Sequence, residues 1–194
     1  MQRLLNALRE VSPRNLAVGL LVVVLLLWSV SLFRFTFDVA GGADSSGYMN
    51  NARLLLEGRI QDDSRRLPEI REDLIPVRGF APLGFHIDPE TKMLIPGYPF
   101  GFPLVLVPFQ AAFGAAAGTW IALILIGLAG PIITLLLARE SGLSIEWAVY
   151  CAVTVATSTL FRFQAFFPMS DTLTLVIACL VLLLLFRLDR DAWS

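Results

Sequence analysis

Two runs without a single charge, residues 16–33 and 117–138, constrain this chain more than any other feature of it. A helix crosses about 30 Å of hydrocarbon with roughly 20 apolar residues. Both runs meet that length, and neither offers a charged face to water. Two shorter apolar stretches, 145–161 and 171–186, lie between charges. They reach spanning length when Arg162 snorkels to the headgroups and Asp171 sits within a turn of the interface. Composition agrees. The chain is 56% hydrophobic and 16% charged, whereas soluble domains carry about 25% charged residues. The expectation is an all-α membrane protein, one module over 1–194, with about four transmembrane helices near 16–34, 117–138, 145–164 and 170–187. A long first outer loop, about 35–116, carries interfacial helices.

Net charge is −1, which leaves no basic surface to recruit nucleic acid. Cys151 and Cys179 sit inside apolar runs and read as small apolar residues, not as a disulfide or metal pair. His86 is the single histidine and has no neighbouring ligand spacing. The first span reads as a retained anchor. It is longer than the apolar core of a signal peptide, and no A-x-A cleavage site follows.

Basic residues set the expected orientation. Arg3, Arg9 and Arg14 precede the first span, Arg139 follows the second, and Arg187 and Arg190 follow the fourth. With four crossings all three groups face the cytoplasm. The loop 35–116 and the link 162–170 then face outside. The segment PFGFPLVLVPFQAAFG, 99–114, is too short to cross, and Pro108 is expected to break a helix interior. Its Phe100, Phe102, Phe109 and Phe113, with Tyr98 just before, suit a helix lying at the interface.

The loop opens with FDVAGGADSSGYMNNARLLLEGR. Asp44 or Ser45 is the expected N-cap of a helix, and Gly58 its stop. Tyr48, Ala52, Leu55 and Leu56 recur at helical spacing as an apolar face. Asp44 has two readings. One is a helix cap. The other is a carboxylate displayed at a lipid–water boundary, placed to accept a proton from a hydroxyl acceptor. The mixed-charge stretch 59–92 reads either as solvated ion pairs or as a source of one phosphate-binding cation, an arginine or Lys92. Asp171 follows Pro168 and Ser170 and opens the last span, where the helix dipole favours a negative charge. An ionisable residue at a span edge is also a functional candidate. With four spans Asp44 and Asp171 share the outer face, and the pattern predicts that they approach each other.

In this order, DSSGYMNNARLLLEG, PGYPFGFPLVLVPFQAAFG, TLLLARESGLS and QAFFPMSDTLTL resemble membrane glycosyltransferases of the GT-C fold, in the protein O-mannosyltransferase and aminoarabinose transferase branch. The resemblance covers about residues 16–187. It implies a polyprenyl-phosphate-linked sugar donor, inverting transfer on the non-cytoplasmic face, and a bacterial inner membrane. Asp44 matches the first-loop acid that activates the acceptor, and Asp171 a second outer acid. Arg53, Lys92 and Arg162 are the candidate contacts to the donor phosphate. Between such acids a divalent ion, Mg²⁺ or Mn²⁺, is the expected metal where one is used. Relatives often pair two acids at the first site, where this chain has Asp44 followed by Ser45. They also have more spans, so the expectation is an N-terminal part completed by further spans or a second subunit. The competing reading is a polytopic scaffold or transporter subunit. For that reading Gly127, Gly130 and Pro131 are the only hint of a broken span, and they serve equally as close-packing residues.

Overall fold

In hydrocarbon every backbone polar group needs an internal partner, which favours helices wherever the apolar runs lie. The computed structural model describes residues 12–63, 79 and 81–192. Arg3, Arg9, the charged side chains from Arg65 to Arg78 and that of Arg190 lie outside the described residues. Among the described residues there are seven helices and three short strands. The helices are α1 (Pro13–Phe35), α2 (Ala43–Leu56), α3 (Gly101–Phe113), α4 (Ala115–Glu140), α5 (Ile145–Thr157), α6 (Thr159–Phe166) and α7 (Ser170–Ala192). Three of them, α1, α4 and α7 up to Asp189, are long and apolar enough to cross a membrane. This is an all-α membrane protein with minor strands.

The chain divides into two compact units. The first comprises Met1–Phe35, Ile124–Ala165 and Asp171–Ser194. Its α1 buries only Trp28 and Leu32, while Leu27 and Val30 are 63% and 65% exposed. So much exposed apolar surface is stable in lipid, not in water. Glycines of α4 meet the buried side of α1 and a ring of α6. A Cβ on Gly127 would come within 2.8 Å of the Leu32 side chain, and one on Gly130 within 2.4 Å of the Phe161 ring. Pro131 has no N–H, so the carbonyl four residues earlier, that of Gly127, loses its helical donor. The buried Trp28 indole Nε1–H donates to that same carbonyl at 3.0 Å. Glycine and proline in α4 are therefore packing residues, with the missing donor supplied from α1.

Several charges of this unit lie close together. Arg187 Nε lies 3.3 Å from Glu140 Oε2, joining the end of α7 to the end of α4. Glu146, in the first turn of α5, lies within electrostatic reach of Arg14 and Arg139. Arg14, Arg139 and Arg187, one described member of each basic group that flanks the apolar runs, thus share one end.

The expected span 145–164 is not one helix. α5 stops at Thr157 and α6 starts at Thr159, with Ser158 extended between them at φ −59°, ψ 123°. The Ser158 hydroxyl accepts from the Phe161 backbone N–H at 3.4 Å, the geometry of an N-cap. A serine that caps a new helix competes with continuing the old one, and so the run breaks there.

The second unit comprises Thr36–Leu123 and Phe166–Ser170. Its loop is not purely helical. β1 (Asp62–Asp63), β2 (Phe85–Ile87) and β3 (Met93–Pro96) form an antiparallel sheet in the order β1-β3-β2. Asp62 pairs with Leu94, Phe85 with Pro96 and Ile87 with Leu94. The sheet buries Leu94. α2 packs on α3, and α3 runs unbroken through Pro108, contrary to the expected break. The carbonyl deprived by Pro108 belongs to Leu104, which is on an exposed face. α3 ends at Gly114, at φ +83°. α4 then turns back closely enough that a Cβ on Gly118 would meet the Phe109 carbonyl at 2.3 Å.

α2 also departs from expectation at its ends and on its face. Its N-cap is Gly42, and no side chain caps it. Asp44 lies instead in the first turn. Gly58 terminates the helix as expected, at φ +71°, with Arg59 N–H donating to Leu54 O at 2.8 Å. Tyr48 and Ala52 are buried, but Leu56 is exposed and Leu54 takes its place inside. The buried face turns toward Ser45, Ser46 and Asn51, small or polar residues that a hydrophobic pattern does not single out.

Candidate functional site

Asp44 is half-buried in the first turn of α2. The Tyr98 hydroxyl donates to its Oδ1. Among the described residues Oδ2 has no hydrogen bond. Tyr98 follows β3 after a single glycine, Gly97, whose N–H donates to Gly84 O at 2.9 Å. Gly84 stands at φ +84°, and a Cβ there would meet Ala43 O at 2.3 Å. A Cβ on Gly47 would meet the Tyr98 ring at 2.3 Å. Backbone at Gly84 and ring at Tyr98 thus approach the start of α2 where only glycines leave room. Tyr48 completes the wall, with ring centroids 5.1 Å from Tyr98 and 5.2 Å from Phe102. Its hydroxyl shares a hydrogen bond with Ser170 Oγ at 3.0 Å. Pairing with the Asp44 carboxylate, followed by desolvation, raises the Tyr98 phenol above the ordinary tyrosine range. The phenol therefore stays protonated and donating.

The two other candidates in this unit are engaged locally. Arg53 reaches Asp62 on β1, Nη2 to Oδ2 at 3.8 Å. Lys92, at φ +59° in the β2–β3 turn, donates from Nζ to Pro89 O at 2.6 Å. That turn is organised by Asp88, whose carboxylate accepts from the Thr91 hydroxyl at 2.5 Å and the Glu90 N–H at 3.2 Å. Both hold the Asp88 carboxyl below the usual range, the Thr91 bond first. His86 is exposed on β2.

Asp171 and Arg162 belong to the first unit. Asp171 is exposed in the first turn of α7, as its position after Pro168 and Ser170 predicts. It lines a cavity of about 380 Å³ beside the α5–α6 break, together with Ser158, Gln164 and Thr172. Arg162 is half-buried on α6. Asp44, Arg53 and Lys92 lie in the second unit.

Among the described residues no group of three or more His, Cys, Asp or Glu side chains is arranged to hold a metal.

Tyr98 is the residue that sequence reasoning missed. Its neighbours marked it only as interfacial aromatic, and its partner lies 54 positions away. Gln164 and Thr172 were missed for a similar reason, since isolated polar residues in apolar helices read as tolerated exceptions. Comparison with protein-family models, with curated proteins and with solved structures returned no match.

Proposed function

We propose that this chain is a membrane glycosyltransferase module of the GT-C type, with Asp44 as the base that activates a hydroxyl acceptor. One observation carries the reading: the Asp44 carboxylate is held through Oδ1 by a phenol that stays protonated. A general base needs a fixed acceptor oxygen within reach of the proton it takes, and Tyr98 fixes this one.

In the proposed reaction the acceptor hydroxyl oxygen attacks the anomeric carbon of a polyprenyl-phosphate-linked sugar. The new glycosidic C–O bond forms as the bond from that carbon to the phosphate oxygen breaks. The polyprenyl phosphate leaves with the electron pair, and the hydroxyl proton passes to Asp44. Displacement from the opposite face inverts the anomeric centre. Asp171 is the second acid that the family resemblance implies. Of the three candidate cations Arg162 is the one we assign to the donor phosphate, since Arg53 and Lys92 have local partners. The shared basic end of the first unit supports an arrangement with that end in the cytoplasm, by the positive-inside rule. Transfer then takes place on the opposite side, in a bacterium the outer side of the inner membrane.

A second reading, a transporter subunit, has the α5–α6 break beside a polar cavity in its favour. Interrupted helices that line a binding pocket are a transporter device.

Orientation separates the transferase reading from an unrelated topology. Single cysteines at positions 44 and 171, introduced with Cys151→Ser and Cys179→Ser, are treated with an impermeant maleimide from either side of intact membranes. The transferase reading expects both to label from the non-cytoplasmic side. Labelling from opposite sides would end it.

A further inference from the structure

The cavity beside the α5–α6 break has a chemistry of its own. Thr172 is 3% exposed and lines it. Neither Thr172 Oγ1 nor Gln164 Oε1, both buried, has a hydrogen-bond partner. Buried polar atoms left unpaired are costly and rare in folded proteins, so two at one cavity mark a place where a ligand or water completes the structure. The Asp171 carboxylate lines the same cavity. The rest of the wall is mainly apolar, and Leu160 and Leu175 are 70% and 39% exposed at its margin. Its volume of about 380 Å³ lies within the roughly 300–1,000 Å³ of small-molecule sites.

We infer that this cavity binds an amphiphile with a primary ammonium head, the head on Asp171, Gln164 and Thr172 and the alkyl chain against Leu160 and Leu175. An ammonium carries three donors and no acceptor, and the cavity offers oxygen acceptors from three side chains, one of them charged. A carboxylate or phosphate head would instead face the Asp171 charge. The α5–α6 break matters because an unbroken helix would carry its backbone past this point without the Ser158 step. The site does not depend on sugar transfer, since its test reads binding alone.

The test uses the full chain in nanodiscs of phosphatidylcholine, with octylamine and octanoate carrying a terminal trifluoromethyl group as probes read by fluorine NMR. Saturable octylamine binding is expected, with octanoate at least about tenfold weaker, the weight of one charge-assisted hydrogen bond. Asp171→Asn and Thr172→Val each weaken octylamine by a similar factor. Thr154→Trp, at an exposed lining position, blocks the cavity and leaves its acceptors in place. Competition by phosphatidylethanolamine added to the disc assigns the site to a lipid headgroup, and lack of competition assigns it to a free alkylamine. Octanoate binding as tightly as octylamine would overturn the inference. So would octylamine binding that is not saturable, or that survives Thr154→Trp.

Discussion

Tyr98 donates its phenolic hydrogen to Asp44 Oδ1, joining the second residue after the last strand to the first turn of α2 across 54 positions. The pair raises the Tyr98 phenol, and the linkage has a definite sign. A raised acid favours the folded state fully below the ordinary tyrosine value, and that contribution is lost as pH rises through the folded value. Asp44→Asn removes the carboxylate and should bring the Tyr98 ionisation down toward the ordinary range. Alkaline ultraviolet titration, with Tyr98→Phe to identify the signal, measures this. An unchanged titration in Asp44→Asn would contradict the pairing.

Trp28 and Pro131 are predicted to be coupled through the Gly127 carbonyl. Trp28→Phe strips that carbonyl of its donor and should cost roughly 1–3 kcal/mol. Pro131→Ala returns a helical N–H, so the same Trp28→Phe change should cost less in that background. Thermal unfolding in detergent across the double-mutant cycle tests this, and strict additivity would contradict it.

The two left-handed glycines flanking the sheet should respond differently. Gly58→Ala meets open space and should lose about 1–2 kcal/mol from backbone strain alone. Gly84→Ala meets Ala43 O and Gly47 as well, which adds roughly 1–3 kcal/mol of overpacking. Equal midpoints for the two variants would show that the α2–Gly84 contact is loose.

Much of this fold can be read from sequence, for a physical reason. The runs that become α1 and α4 have no charge to place, the run of α7 carries its one acid at its first turn, and none has an alternative to a helix in lipid. Gly58 and the Pro168–Ser170–Asp171 start are local signals and behave as such. What escaped was non-local or subtle. The break at Ser158 depends on one hydroxyl capping a neighbouring turn. The strands are two to four residues long, too short for alternation to register. The Gly47–Gly84–Tyr98 packing that holds Asp44 joins three segments with no pattern in common. At Asp44 the carboxylate is singled out by sequence and its phenol partner is not.

The β2–β3 turn should loosen in acid. The Asp88 carboxyl is held low by Thr91 and by the Glu90 N–H, so its contribution is present above the ordinary carboxylate range and lost as pH falls through the folded value. Thr91→Ala should raise the Asp88 value and move the loss to higher pH. Amide exchange of Lys92 and Met93 follows it, and an acid profile unchanged by Thr91→Ala would contradict the account.

The central claim is that Asp44 is the base of a sugar transfer, and the most direct measurement is transfer itself. Membranes bearing the chain together with the further spans or second subunit expected to complete it are given a polyprenyl-phosphate-linked radiolabelled sugar, beside the same membranes carrying Asp44→Asn at equal expression and membranes lacking the chain. The account predicts transfer above background that falls at least about a hundredfold in Asp44→Asn, the weight of a general base. Transfer undiminished by Asp44→Asn, or none above membranes lacking the chain, would contradict it.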